Sequence, residues 1–274
     1  MDVLTLILIS LPAGFLGALV GLGGGIILIP LMTQLGVPIK YAIASSIVAT
    51  IVTSSGSATS YVREGLTNIR VAMFLEIFTV SGAIIGATIT LSIPSRPLYF
   101  IFASFIIVSL IIYRKRLRAD IPTVTKQDRL SRWFKLEGSY YDEFLKREVY
   151  YKVTNSALGG LGMVSSGIAA GMLGIGAGIF NVSIHENILK MPPKVSMTTS
   201  NFIIGLTALS GAIAYLSSGL IYVDLVSPIL IGTFLGSIAG TKILNRLSSK
   251  SLRTIFILVL GYALVQMIYK GVTA

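Results

Sequence analysis

The chain is expected to fold as an all-α polytopic membrane protein of about ten apolar segments in two inverted repeats. Each repeat would hold a glycine-broken helix pair, either re-entrant or fully spanning. Three observations lead there: an apolar composition, a duplicated glycine break, and a one-sided distribution of basic residues.

Of the 274 residues, 54% are hydrophobic and 12% are charged, about half the ~25% charged residues of a typical soluble domain. The mean hydropathy is +0.84. This excludes a disordered chain and argues against an ordinary soluble enzyme. The net charge of +11 would suggest nucleic acid in a soluble protein. Here the basic residues flank apolar segments, so the expected partner is the lipid bilayer and not nucleic acid. The absence of cysteine excludes disulfides, cysteine-ligated metals and thiol chemistry. With a single histidine, no metal site or cofactor is expected.

The first apolar run extends from Val3 to about Gly36 without a charge. As one helix it would measure about 50 Å, against a hydrocarbon core of about 30 Å. Gly21-Leu22-Gly23-Gly24-Gly25 interrupts it, and glycine disfavours helix. Two segments are therefore expected, about 4–20 and 26–37, the second shortened by Pro30 and Pro38. The run is too long, and its start too poor in basic residues, for a signal peptide. Further segments are expected at about 41–62, 70–93, 97–113, 153–173, 179–189, 195–217, 222–246 and 252–270. Residues 1–113 form the first repeat, 114–152 a basic cytoplasmic loop and 153–274 the second repeat.

The duplication is read from identities at one offset. Gly21-Leu-Gly-Gly-Gly-Ile26 matches Gly174-Ile-Gly-Ala-Gly-Ile179, Val37-Pro38 matches Met191-Pro192, and Tyr61 and Gly65 match Tyr215 and Gly219. Interrupted segments at corresponding positions of two halves point to a transporter binding site.

Lys and Arg favour the cytoplasmic side. If each broken pair counts as one crossing, the 22 basic residues divide 14 to 8. If each pair turns back on itself, only Lys40, Arg96 and Lys270 fall outside and 19 lie inside. The second arrangement gives an odd number of crossings per half, hence inverted repeats with both termini outside the plasma (inner) membrane. Second arms of about 11 residues favour a partial crossing, with the glycine tips meeting inside the protein.

The candidate substrate-binding residues start with Gly23, Gly24, Gly25, Gly176, Ala177 and Gly178. Backbone N–H groups left free where a helix begins attract an anion; close helix packing through small residues is the alternative. Two hydroxyl clusters accompany them, Ser45, Ser46 and Thr50 in the third segment and Thr198, Thr199, Ser200 and Asn201 in the eighth. Neutral donors suit an oxyanion, while each hydroxyl can equally bond its own helix. Asn181 is either a cap or a donor. Glu76 is the candidate proton carrier, because it is the acidic residue well inside an apolar segment. His185 beside Glu186 reads as an interfacial residue. In the central stretch, Phe134–Asp142 and Glu148–Val153 alternate as a short hairpin, read as a connector.

The repeated pattern Gly17-Ala-Leu-Val-Gly-Leu-Gly-Gly-Gly-Ile-Ile-Leu-Ile-Pro30, Gly36-Val-Pro38 and Ala42-Ile-Ala-Ser-Ser46, with its second copy Ala170-Gly171-Met-Leu-Gly-Ile-Gly-Ala-Gly178, resembles the sulfite exporter TauE/SafE family of membrane permeases. The resemblance covers essentially the whole chain. It implies a substrate among small sulfur-containing anions of the sulfite, sulfonate or sulfoacetate class. The second copy departs from the pattern at Ala177, where a glycine is usual. The expected function is a permease working by alternating access, with no catalytic residues. A channel-like anion pore and a non-transporting membrane enzyme or assembly factor are the alternatives.

Overall fold

Inside a bilayer the backbone must pair its own N–H and C=O groups, and long apolar runs do so as helices. The computed structural model describes residues 2–20, 23–115, 127–142, 146–244 and 249–273, with side chains for 2–18, 23–112, 127–142, 146–240 and 257–273. Gly21, Leu22 and the side chains of Arg114–Arg118, Lys242 and Arg246 lie outside these. The helices are α1 (Val3–Val20), α2 (Gly25–Gln34), α3 (Ile39–Arg63), α4 (Ile69–Ser92), α5 (Ser95–Lys115), α6 (Arg129–Trp133), α7 (Ser156–Leu173), α8 (Gly178–Asn187), α9 (Pro193–Ser217), α10 (Val223–Leu244) and α11 (Ser249–Thr273). Six of them, α3, α4, α5, α7, α9 and α10, are long and apolar enough to cross a membrane. The chain is a multi-pass membrane protein.

The expected segments match these helices closely. Pro30 does not shorten α2, which runs through it to Gln34; the proline forfeits only the bond to the Ile26 carbonyl. At 10 residues each, α2 and α8 measure about 15 Å and cannot cross alone.

The two runs of five helices pack in exchanged pairs. α1 lies along α10, where Gly232, Gly236 and Gly240 meet Ile7, Leu11 and Phe15. α4 lies along α7 in the same parallel sense, where Gly82 and Gly86 meet Val164 and Ile168. Replacing each helix by its repeat mate turns one pair into the other. α3 instead runs antiparallel to its own mate α9, with Ser54 against Gly205 and Ile47 against Gly211. The start of α5 meets the end of α11 through Arg96 Nε donating to the Gly271 carbonyl at 3.3 Å.

The parallel pairs are as close as backbones allow. A Cβ on Gly86 would stand 2.1 Å from the Ile168 carbonyl oxygen, and one on Gly236 2.1 Å from that of Leu11. Small residues allow this approach, and dispersion and weak Cα–H contacts reward it in lipid. Gly86→Val is therefore expected to cost about 3 kcal/mol or more through overpacking, read as a lowered Tm in detergent. Gly261→Val, where a Cβ meets no atom within 4 Å, is the control.

The central stretch is more than a connector. Strands β1 (Glu137–Asp142) and β2 (Arg147–Lys152) pair antiparallel, with Tyr140 opposite Val149 and Ser139 opposite Tyr150. Their inward residues Tyr140, Val149 and Tyr151, with Leu136 and Val153, form a second core with Val71 and Leu75 of α4, Met163 of α7, Ile184 of α8 and Val195 of α9. Alternating apolar residues predict a hairpin from sequence, but not the helix ends that it covers. Lys194 Nζ and Asp142 Oδ1 pair at 2.9 Å, and Asn68 Nδ2 donates to the Tyr151 hydroxyl at 2.8 Å.

Asp128 fastens this unit to α7. Its carboxylate caps α6 by accepting from Ser131 N and Ser131 Oγ, and it accepts from Ser156 Oγ at 3.1 Å. Burial pushes its carboxyl up, but the hydrogen bonds from Ser131 and Ser156 outweigh this and hold it below the usual carboxylate range. A folded-state value below the unfolded one gives stability that is present at neutral pH and lost only as pH falls through the lowered value. Docking of 127–152 is thus expected to persist at pH 5. Asp128→Ala is expected to speed tryptic cleavage at Arg129 and Arg132 about fivefold at neutral pH, from a cap worth about 1 kcal/mol.

Candidate functional site

The two glycine breaks meet at the centre of the helix bundle. Gly23 (φ 75°) and Gly24 (φ 78°) turn the chain into α2, and Gly174 (φ 62°), Gly176 (φ 72°) and Ala177 (φ 49°) turn it into α8. All five are left-handed, which suits glycine and strains Ala177. A Cβ on Gly25 would lie 2.4 Å from the Gly174 carbonyl oxygen and 2.4 Å from Ser46 Oγ. Tip therefore abuts tip, with α3 alongside.

Neither α2 nor α8 has a side-chain cap at its start. The first helical bonds come from Ile27 and Leu28 to the Gly24 carbonyl, and from Phe180 and Asn181 to that of Ala177. Among the described residues, the N–H groups of Gly25, Ile26, Gly178 and Ile179 meet no acceptor. Four N–H groups of buried residues and two helix N-termini thus lie at the meeting tips, where the described residues carry no charge. Such a place favours an anion on electrostatic grounds.

The hydroxyls are used differently from the sequence expectation. Ser46 Oγ donates to the Gly174 carbonyl at 2.9 Å. Thr50 Oγ1 sits between the tips, 3.0 Å from the Gly23 carbonyl oxygen and 3.4 Å from that of Gly174. Ser200 Oγ reaches the Gly178 carbonyl at 3.5 Å. A hydroxyl has one proton, so these three hold the tips in place rather than pointing that proton at a ligand. Ser45 Oγ is buried without a partner. Asn181 Oδ1 accepts from Ser166 Oγ at 2.5 Å, a positioning bond that the sequence did not disclose.

Thr198 and Thr199 lie apart from this cluster, at the start of α9. Thr198 Oγ1 donates to the Leu66 carbonyl at 2.8 Å, and Thr199 Oγ1 accepts from Asn68 N at 3.1 Å. They clasp the α3–α4 turn. Asn201 lines a cavity of about 430 Å³ between α3 and α9, with Ser54, Ser55 and Thr59 as its other polar residues. Ile51, Phe202, Leu206 and Leu209 are among the residues of its apolar wall, and nothing in their spacing distinguished them from ordinary helix packing. The cavity lining holds no charged residue.

Glu76 is buried on α4, facing α9. Its Oε1 accepts from Thr207 Oγ1 at 3.1 Å, and its Oε2 is buried without a partner. His185 is fully buried rather than interfacial, with Nδ1 3.2 Å from the Ser196 carbonyl oxygen. The α8 C-terminus is covered by the second core, which the sequence alone does not reveal.

The sequence profile of the sulfite exporter TauE/SafE family matches residues 6–267. Among curated proteins, the chain is 27% identical to a probable membrane transporter protein of Bacillus subtilis, YunE, over 99% of both chains. It is 26% identical to a second one from that organism, YdhB, over 89% of both. A probable membrane transporter protein of Methanocaldococcus jannaschii, MJ0441, is 25% identical over 93% of this chain and 91% of its own. No solved structure matches significantly.

Proposed function

The chain belongs to the sulfite exporter TauE/SafE family of membrane transporters, and we propose that it is a permease for a small sulfur-containing anion, working by alternating access. The observation that carries this reading is the meeting of the two uncapped tips, Gly25 against Gly174. Their free N–H groups supply the donors that an oxyanion needs without placing a cation in the hydrocarbon. The apolar wall of Phe202, Leu206 and Leu209 suits the carbon chain of an organosulfonate beside the sulfo group.

The antiparallel α3–α9 pair supports inverted repeats. Repeats of the same sense would set these mates parallel. In the proposed orientation the tips enter from opposite faces as re-entrant pairs, both termini are outside and residues 114–152 are in the cytoplasm. The 19 basic residues on that side agree with it. Because the chain lacks cysteine, Ser217→Cys should label only from outside and Lys190→Cys only from inside; the reverse result would overturn the orientation.

Transport is tested in proteoliposomes with labelled sulfite, taurine, sulfoacetate and thiosulfate. Saturable flux of at least one is expected. Flux that rises without saturation means a channel-like pore, and no flux of any anion sinks the transporter reading. Glu76 is the proposed proton carrier of the cycle.

A further inference from the structure

Tyr61 and Tyr215 hold matching places, each two residues before the end of its helix, α3 or α9. Their surroundings differ. Tyr215 is fully buried, and its hydroxyl donates to the Gly171 carbonyl at 2.7 Å. Gly171 is in the last turn of α7, where carbonyls have no partner within the helix. Tyr61 is half-buried, and its hydroxyl takes no partner among the described residues. The carbonyl that would match Gly171 is that of Ala18, two residues before the end of α1.

This asymmetry follows the cavity. The open space reaches Ala58, Thr59 and Val62, beside Tyr61. At the Tyr215 end of the same helix pair, α3 and α9 are shut. A Cβ on Gly211 would stand 2.7 Å from Ile47 Cδ1. The closed end has its tyrosine bonded and the open end has its tyrosine unbonded.

We propose that Tyr61 and Tyr215 are paired latches of the transport cycle. The Tyr215–Gly171 bond holds the present state. In the opposite state Tyr61 donates to the Ala18 carbonyl and Tyr215 lets go. The proposal rests on the alternating-access reading above and names the residues that set its balance. Each bond stabilises one state only, so losing it shifts the populations by about fivefold, the worth of one buried hydrogen bond. The two losses act with opposite sign.

Two single-cysteine reporters test this in proteoliposomes, using a membrane-impermeant maleimide applied from each side. Thr59→Cys reports the open cavity and Ala212→Cys the shut end. Tyr215→Phe is expected to speed labelling of Ala212→Cys about fivefold and to slow that of Thr59→Cys. Tyr61→Phe should do the reverse, and the double variant should return both rates close to the parent. Damage to the fold would instead move both reporters one way and worsen in the double variant, which overturns the proposal. Suppose neither tyrosine moves the rates while added sulfite shifts the reporters in opposite senses. Then the latches are refuted and alternating access stands. If Ala212→Cys labels in no background, with or without sulfite, alternating access itself fails and the latches with it.

Discussion

Gly25→Val is expected to lower anion flux about a hundredfold, the scale on which misplacement by an ångström acts at a pre-organised site, while the protein remains inserted and helical. The reason is local. Any Cβ at this position lands 2.4 Å from a backbone oxygen, that of Gly174, and 2.4 Å from Ser46 Oγ. A serine side chain can rotate away, but the Gly174 carbonyl is backbone, set by the left-handed turn that leads into α8. The tips must separate, and the free N–H groups of the two helix starts then no longer lie side by side. Ser46→Ala should not rescue the variant, since the backbone clash persists. Gly261→Val, with nothing in reach of its Cβ, should change flux less than about twofold, as surface changes usually do. Initial rates in proteoliposomes, with circular dichroism on the same preparations, make the comparison. Parent-like flux from Gly25→Val would remove the tips from the transport pathway.

The same contrast explains what the sequence disclosed. Helix boundaries were legible because glycine, proline and charge punctuate long apolar runs. The breaks at Gly23–Gly25 and Gly174–Gly178 were legible because backbone entropy is a local property. Their meeting was foreseeable from the charge count, which favours pairs that turn back. The direction of each hydroxyl was not. Ser46 and Thr50 read as ligand donors, but carbonyls at the breaks claim them, that of Gly174 in the other half for Ser46 and that of Gly23 for Thr50. The competition for Ser46 depends on a neighbour 128 residues away. Thr198 and Thr199 read as site residues because they belong to the hydroxyl cluster of the eighth segment. They instead bond the Leu66–Asn68 turn, whose Asn68 side chain donates to the Glu137 carbonyl of β1. The hairpin pattern was visible, whereas its docking partners on α4, α7, α8 and α9 were not. The buried tyrosine latch was a repeat identity before it had a role.

Glu76→Gln is expected to abolish proton-driven accumulation of the anion, a loss of about tenfold or more, while exchange of anion for anion continues. The argument starts from an imbalance between the halves. Thr207 and Thr53 are repeat mates, but they spend their hydroxyls differently. Thr207 donates to Glu76, whereas Thr53 donates to the Ala49 carbonyl of its own helix. The mate of Glu76 is Leu230, so only one half carries the carboxyl. One oxygen of Glu76 is held and the other is buried and unpaired. Thr79, one turn on, cannot serve it, because its hydroxyl bonds the Leu75 and Glu76 carbonyls. A carboxyl with one anchored and one free oxygen can take up and release a proton without losing its place. Glutamine keeps the volume and the acceptor for Thr207, and it cannot carry the proton. A site present in one half alone also limits the stoichiometry to one proton per cycle at Glu76. The measurement is uptake with and without an imposed pH gradient, beside counterflow at equal pH. Accumulation that survives Glu76→Gln assigns the coupling to another group, and loss of counterflow as well would make Glu76 a structural residue.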